Sequence, residues 1–184
     1  MKTRKFLAVA ILALGFGFTS FAQKTVMVGG AAMYPNKNII ENAVNSKDHT
    51  TLVAAVKAAD LVETLKGKGP FTVFAPTNAA FDKLPKGTVE TLLKPENKKM
   101  LQNILTYHVV SGKWSSADIT KAIKDGKGKA NIKAVNGGTL TAWMQGKDLY
   151  ITDENGNKSK VTIADVNQSN GVIHVVNAVL LPKK

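Results

Sequence analysis

The sequence predicts a single domain of the α+β class. In its first half, apolar residues recur every three or four positions, the spacing typical of amphipathic helices. After residue 130, short apolar segments alternate with the pairs Asn136-Gly137, Asn155-Gly156 and Asn170-Gly171, and Asn-Gly is a preferred pair in hairpin turns. Helices followed by antiparallel strands are typical of α+β folds rather than of folds built from alternating parallel units.

The beginning of the chain has the organisation of a secretory signal peptide. Basic residues open it, an apolar run follows at 6–18, and Ser20 and Ala22 supply the small residues that precede a cleavage site. As a helix this run would be roughly 20 Å long, shorter than the ~30 Å hydrocarbon core of a bilayer. We therefore predict cleavage after Ala22, an N-terminal extension at 23–36, a domain at 37–184 and no transmembrane span. The protein is expected to be secreted, either periplasmic or extracellular.

Helices are predicted for most of the chain up to Gly112. The segments with helical spacing are 38–44, 51–59, 61–65, 89–93 and 97–105, with a short helical turn around Phe81. One strand, 71–75, interrupts them, because aromatic and β-branched residues dominate it.

Strands dominate the rest of the chain, after one further helix. Ser115 and Asp118 have the spacing of a capping box, which predicts a helix that continues through Ile123. The predicted strands are 131–134, 139–144, 149–152, 160–165 and 172–180.

Lysine supplies nearly all of the positive charge. The formal net charge is +12 and Arg4 is the only arginine, whereas readout of guanine and phosphate favours the planar fork of arginine. Sequence-specific nucleic-acid binding is therefore not expected. The lysines indicate either a solvated surface or non-specific attraction to anionic lipid headgroups or acidic polysaccharides. The chain has no cysteine, so its core must suffice without disulfides.

No pattern typical of a catalytic or metal centre was found. The chain has no Gly-x-Ser-x-Gly elbow, no His-Glu-x-x-His motif and no Walker loop. Three histidines and no cysteine leave little for zinc, and His49 lies in a polar segment. Asp153 opens a calcium-like loop, but Lys158 and Ala164 stand where glycine and glutamate are required, so a hairpin turn is predicted. We predict no enzymatic activity, no metal and no cofactor.

His174 raises the question of chemistry or packing, because it interrupts a long apolar segment. Side chains alternate in a strand, so His174 faces one side and Asn177 the other, and both faces are mostly apolar. A strand of this kind is covered on both sides. His174 is therefore interpreted as a structural histidine that needs a hydrogen-bond partner, since an unsatisfied one would cost about 1 to 3 kcal/mol. Asn177 is interpreted as a structural polar residue.

Three segments resemble, in order and spacing, the conserved boxes of the fasciclin domain family. They are FTVFAPTNAAFDKLP at 71–85, ILTYHVVSGK at 104–113 and NGVIHVVNAVLLP at 170–182. The resemblance implies a β-sandwich or wedge of about seven strands packed with several α-helices. It also implies a non-enzymatic adhesion module that binds extracellular protein, anionic polysaccharide or a cell surface.

The resemblance also nominates residues for the binding site. Tyr107 and His108 fall on the family's Tyr-His pair, which is implicated in domain integrity and cell adhesion. Asp165 and Val166 fall where animal members carry an Asp-Ile integrin motif. These four are candidate partner contacts, and we expect Asp165→Ala to weaken binding without lowering the melting temperature. Asn78 is interpreted as a structural residue that bonds to His108.

An alternative function is a carrier of an apolar ligand, either a lipid or a carotenoid. Some fasciclin-type proteins bind carotenoids, and the helices of this chain are rich in apolar residues.

Overall fold

The computed structural model describes residues 25–183, so the predicted signal peptide lies outside the described residues. Within this range the α-helices are α1 Ile39–Ala43, α2 Thr50–Ala58, α3 Val62–Lys66, α4 Asn78–Phe81, α5 Thr88–Leu92, α6 Lys98–Tyr107 and α7 Ser116–Asp125. The strands are β1 Val26–Val28, β2 Ala31–Met33, β3 Phe71–Pro76, β4 Val109–Ser111, β5 Ala130–Lys133, β6 Thr139–Gln145, β7 Asp148–Thr152, β8 Lys158–Gln168 and β9 Gly171–Val176.

Strands β3 to β9 form one sheet in the order β4-β3-β9-β8-β7-β6-β5. Neighbouring strands are antiparallel except β3 and β9, which run parallel from the pair Phe71 and Gly171 to the pair Pro76 and Val176. The two edges of the sheet meet at a bridge between Val110 and Ala134. The sheet therefore curls into a nearly closed barrel, which confirms the predicted α+β class and its seven strands.

The sheet separates two apolar cores. One lies inside the barrel, where Leu140 and Ile151 from the sheet pack with Ile119 and Ile123 of α7. The other lies on the opposite side of β3 and β9, beneath α1, α2, α3 and α6. Strand β9 is buried at all six positions because it contributes to both cores, which explains its nearly continuous apolar sequence.

The structure differs from the predicted elements in three places. Strands β2 and β4 were not predicted, since three residues are too few to establish a period. Strand β9 ends at Val176 rather than at residue 180, because Asn177 accepts a hydrogen bond from the Lys160 amide through its side chain at 2.9 Å. The helical spacing of 38–44 would place Val44 on the apolar face, yet Val44 follows the end of α1 and is exposed, whereas Asn42 is completely buried.

Asn42 explains why the segment before residue 37 belongs to the packed molecule. Its side-chain oxygen accepts from the Tyr34 amide at 3.0 Å, and its side-chain nitrogen donates to the Tyr34 carbonyl at 2.8 Å and to Gln168 of β8. Val28 and Met33, from the hairpin formed by β1 and β2, are buried in the core beneath the helices. The compact unit thus includes residues 25–36, the described part of the segment predicted to be an N-terminal extension.

Candidate functional site

Tyr107 is anchored inside the barrel at the end of α6. The apolar face of this helix, which includes Leu101 and Leu105, packs against the sheet and directs the tyrosine inward. The Tyr107 hydroxyl donates to the Thr139 carbonyl at 2.8 Å and accepts from the Glu154 amide at 3.1 Å. Burial raises the pKa of Tyr107 to about 12. With an exposed fraction of 0%, its side chain offers no surface to a partner.

His108 joins the end of α6 to the C-terminal segment. Its Nδ1 donates to the Ile104 carbonyl at 2.9 Å, and its Nε2 accepts from the Leu180 amide at 3.0 Å. Burial lowers the pKa of His108 to about 4, so the ring is neutral near pH 7. The expected bond between His108 and Asn78 was wrong. Asn78 instead accepts from the Thr51 amide at 3.0 Å and so connects α4 to α2.

His174 has a partner for each ring nitrogen. Its Nε2 donates to the Trp114 carbonyl at 2.8 Å, and its Nδ1 accepts from the Asp165 amide at 3.3 Å. The ring stacks on Phe74 with a centroid distance of 5.7 Å. Burial lowers the pKa of His174 below its usual value. The histidine thereby links β9 to β8 and to the segment that precedes α7.

Asp165 lies at an irregularity in β8, where the register with β9 shifts between Ile163 and Val166. Its φ of 57° is in the left-handed region, which aspartate adopts more readily than most residues. Its carboxylate accepts from the Ser116 amide at 2.7 Å and from the Ser116 hydroxyl, so it bonds to the first turn of α7. Val166 is buried beneath it.

The four predicted contact residues therefore fall into two separate networks. Tyr107 and His108 bond to the barrel and to the C-terminal segment, whereas Asp165 bonds to α7. Of the four, Asp165 alone retains a partly exposed side chain. Because both carboxylate oxygens already have partners, the expectation that Asp165→Ala leaves the melting temperature unchanged is not supported by this geometry.

Two further polar residues bond to distant parts of the chain, one near each end of β9. Asp153 is buried between β7 and β8 and accepts from the amides of Asn155 and Asn157, each at 2.9 Å, and from the Leu181 amide at 2.9 Å. Asn170 donates to the Leu65 carbonyl at 2.7 Å. Both residues were predicted to lie in hairpin turns. The Asp-x-Asn spacing of an Asx-turn could have identified the first, but the second depends on distant contacts.

An apolar cavity of about 80 Å³ lies between the helices and the sheet. Val56 of α2, Leu65 of α3 and Ile173 of β9 are among the residues that line it. His49 also reaches it, and the structure buries this residue although the sequence placed it in a polar segment. The His49 Nδ1 lies 2.9 Å from the Ser46 hydroxyl, whereas its buried Nε2 has no side-chain or backbone hydrogen-bond partner within residues 25–183.

Among the described residues there is neither a cluster of metal ligands nor a helix able to span a membrane. Between residues 25 and 183, no three His, Asp or Glu side chains are grouped closely enough to hold a metal ion. No helix in the same range combines the length and the apolar character needed to cross a bilayer.

Comparison with known proteins matches the fold and the motif segments together. The structure superimposes on the FAS1 domain pair of the insect cell adhesion molecule Fasciclin I with a TM-score of 0.71 at 18% identity, over 80% of this chain and 52% of that chain. Protein sll1483 of Synechocystis is 44% identical over 96% of this chain and 94% of its own length. The cell surface glycolipoprotein MPB83 of Mycobacterium bovis is 33% identical over 92% of this chain and 72% of its own length. A family model described as the fasciclin domain matches residues 47–182, and the chain belongs to the fasciclin domain family.

Proposed function

We propose that this protein is a non-enzymatic binding module of the fasciclin type that acts outside the cytoplasm, in the periplasm or beyond it. The proposed partners are extracellular proteins and anionic polysaccharides or cell surfaces. Relatives described as a cell surface glycolipoprotein and as a cell adhesion molecule support this proposal.

One observation carries the proposal: Tyr107, His108 and His174 are bonded within the fold, while a group of lysines faces solvent. Tyr107, His108 and His174 are buried, and each makes two hydrogen bonds within the domain. In contrast, the lysines at positions 121, 124, 127, 129 and 133 are all exposed. A surface with exposed lysines attracts anionic partners. Salt screens this attraction, but binding that also includes specific contacts persists at physiological salt.

Within this proposal, the predicted contact residues have different roles. Tyr107, His108 and Val166 lie beneath the surface and support it. Asp165 is partly exposed and positions the start of α7, so it influences a partner through Ser116 and the helix that follows.

The test is a binding panel with the purified protein at low and at physiological salt. The panel contains polygalacturonate, vesicles of anionic phospholipid and matrix proteins, with neutral dextran as the matched control. Selective binding that survives physiological salt is the expected result. Binding that is broad and disappears with salt would show that the lysines serve only as a solvated coat.

The apolar cavity favours a second candidate function, a carrier of a lipid or carotenoid. The cavity is apolar, but its 80 Å³ is well below the 300 to 1,000 Å³ typical of ligand pockets. A long ligand would therefore have to displace α2 or α3. Substitution of a small lining residue should discriminate: Ala43→Leu would fill the cavity, whereas Ala58→Leu on the exposed side of α2 would not.

The readout is the amount of pigment or lipid that co-purifies from the host. Ala43→Leu should lower it and Ala58→Leu should leave it unchanged. Protein that carries neither pigment nor lipid in either form would remove this candidate.

A further inference from the structure

The outer face of the barrel carries a pair of stacked aromatic rings that belongs to neither core. Trp143 of β6 lies directly opposite Tyr150 of β7, with ring centroids 5.0 Å apart and ring planes inclined by 21°. The inward neighbours Ala142, Leu149 and Ile151 fill the barrel, so the two rings point away from it. Both rings are partly exposed.

The indole ring is held in place by its neighbours. The Trp143 Nε1 donates to the Thr152 hydroxyl at 2.8 Å. Thr152 lies two residues after Tyr150 on β7, so its side chain is on the same face of the sheet. The bond leaves the ring with a fixed orientation, whereas a surface tryptophan without such a partner would be free to change rotamer. A preorganised ring binds with a smaller entropic cost than a mobile one.

Lysines surround the rings. Lys158 Nζ lies 5.1 Å from the centre of the Trp143 ring, within the range of a cation–π contact. Lys160 is the register neighbour of Tyr150 on β8 and forms an ion pair of 2.6 Å with Asp148. Lys158 has no ion pair among the described residues, so its charge is available to an anionic group.

We propose that this face, formed by Trp143, Tyr150, Lys158 and Lys160 and called here the aromatic platform, binds an acidic polysaccharide. The exposed parts of the two stacked rings give the C–H groups on the apolar side of a sugar ring a rigid apolar surface to pack against. A carboxylate or sulfate on the same sugar then meets Lys158. This inference rests on the proposed function and adds to it a specific surface and a class of ligand.

Other anionic polymers could use part of this chemistry. Single-stranded nucleic acid also stacks on aromatic rings and pairs with basic side chains. Polysaccharide is favoured here because an extracellular module meets glycans, and because the platform lysines lack the planar guanidinium that stacks on bases and clamps phosphate. Binding of the platform to single-stranded nucleic acid instead of polysaccharide would therefore contradict the proposal.

The experiment titrates polygalacturonate into the protein and follows tryptophan fluorescence and calorimetric heat at physiological salt. Trp143→Ala should weaken binding about tenfold, a loss typical of an aromatic anchor. Trp143→Phe should keep most of the affinity because phenylalanine can still stack on Tyr150. Lys158→Gln should weaken binding about threefold, and the matched control Lys124→Gln on α7 should leave it unchanged.

Melting curves accompany every variant, so that a loss of fold is not mistaken for a loss of binding. The proposal is overturned if folded Trp143→Ala and Lys158→Gln bind polygalacturonate like the parent protein, which would leave the proposed function intact with a different surface. It is also overturned if the parent protein binds matrix protein but no acidic polysaccharide, or if the variants lose binding only to single-stranded oligonucleotide. Failure of the parent protein to bind any member of the panel would overturn the proposed function itself.

Discussion

The two hydrogen bonds of His108 require opposite roles of its ring nitrogens. Nδ1 donates to the Ile104 carbonyl and Nε2 accepts from the Leu180 amide. A proton on Nε2 would face the Leu180 N–H group and break the second bond. The neutral ring is therefore part of the attachment of the C-terminal segment, and burial of the ring also opposes protonation.

Acid should destabilise the protein through this histidine. The pKa of His108 is lowered from 6.5 to about 4 in the folded state, so the unfolded chain takes up the proton first as pH falls. The stabilising contribution is complete above pH 6.5 and is lost progressively between pH 6.5 and 4, by up to about 1.4 kcal/mol per pH unit. Urea unfolding at pH 7.5, 5.5 and 4.5 measures this loss.

The control for this prediction is His108→Gln, which cannot titrate in that range. Its free energy of unfolding should be lower at pH 7.5, and it should fall less steeply with acid than that of the parent protein. An equal slope in both proteins would assign the acid sensitivity to other groups, of which His174 is the first to test because its pKa is shifted in the same direction.

The roles of Tyr107 and His108 could be predicted only in part. The resemblance located the pair, but apart from the Ile104 carbonyl the partners of the two side chains are backbone groups of Thr139, Glu154 and Leu180, far away in sequence. No local pattern encodes such contacts. For His174 the reasoning was local and physical, since a polar residue in a strand covered on both faces must have a hydrogen-bond partner.

At the scale of elements, α7 is attached to the sheet through its N-terminal turn. Ser115 and Asp118 form the predicted capping box, and Ser116 then bonds to Asp165 of β8. The helix packs Ile119 and Ile123 into the barrel, so its position depends on both the apolar contacts and this polar bond.

Asp165→Ala is expected to lower stability by about 1 to 3 kcal/mol. The substitution removes the acceptor of the Ser116 amide and places alanine at a φ of 57°, which it adopts poorly. Asp165→Asn should cost less, because its amide oxygen can still accept and asparagine tolerates this backbone conformation. The melting temperatures of the two variants are compared with that of the parent protein. If both variants melt at the parent's temperature, neither the bond to Ser116 nor the backbone conformation at residue 165 contributes to stability.

Elements with local sequence signals could be predicted, whereas short elements with distant partners could not. Helix α7 and the hairpins of β5 to β8 were predicted because the capping box and the Asn-Gly pairs are local signals. Strand β4 was missed because its three residues follow α6 directly and pair with β3, almost forty positions earlier. The parallel pairing of β3 with β9 could not be predicted from the sequence either, because it joins residues about 100 positions apart.

For the whole molecule, the central position of β9 determines where stability is concentrated. The strand lies between β3 and β8 and is buried at every position, so its amides open only when the barrel itself opens. Hydrogen exchange should therefore be slowest at Val172, Ile173 and Val175. The amides of the β1–β2 hairpin should exchange faster, because that hairpin forms a separate two-stranded sheet.

Mass-spectrometric exchange at neutral pH measures this difference directly. Peptides from β9 that exchange as fast as those from residues 26–33 would show that the two ends of the chain are equally labile.

The position of β9 also governs the order in which the chain can fold during synthesis. Among the seven strands of the sheet, β9, which joins β3 and β4 to the rest, is synthesised last, although its parallel partner is made about 100 residues earlier. Until it emerges, the incomplete sheet consists of two pieces with no strand between them, and such long-range pairing is slow to form. A nascent chain in which β9 is not yet made therefore remains without its native barrel, however complete its helices are.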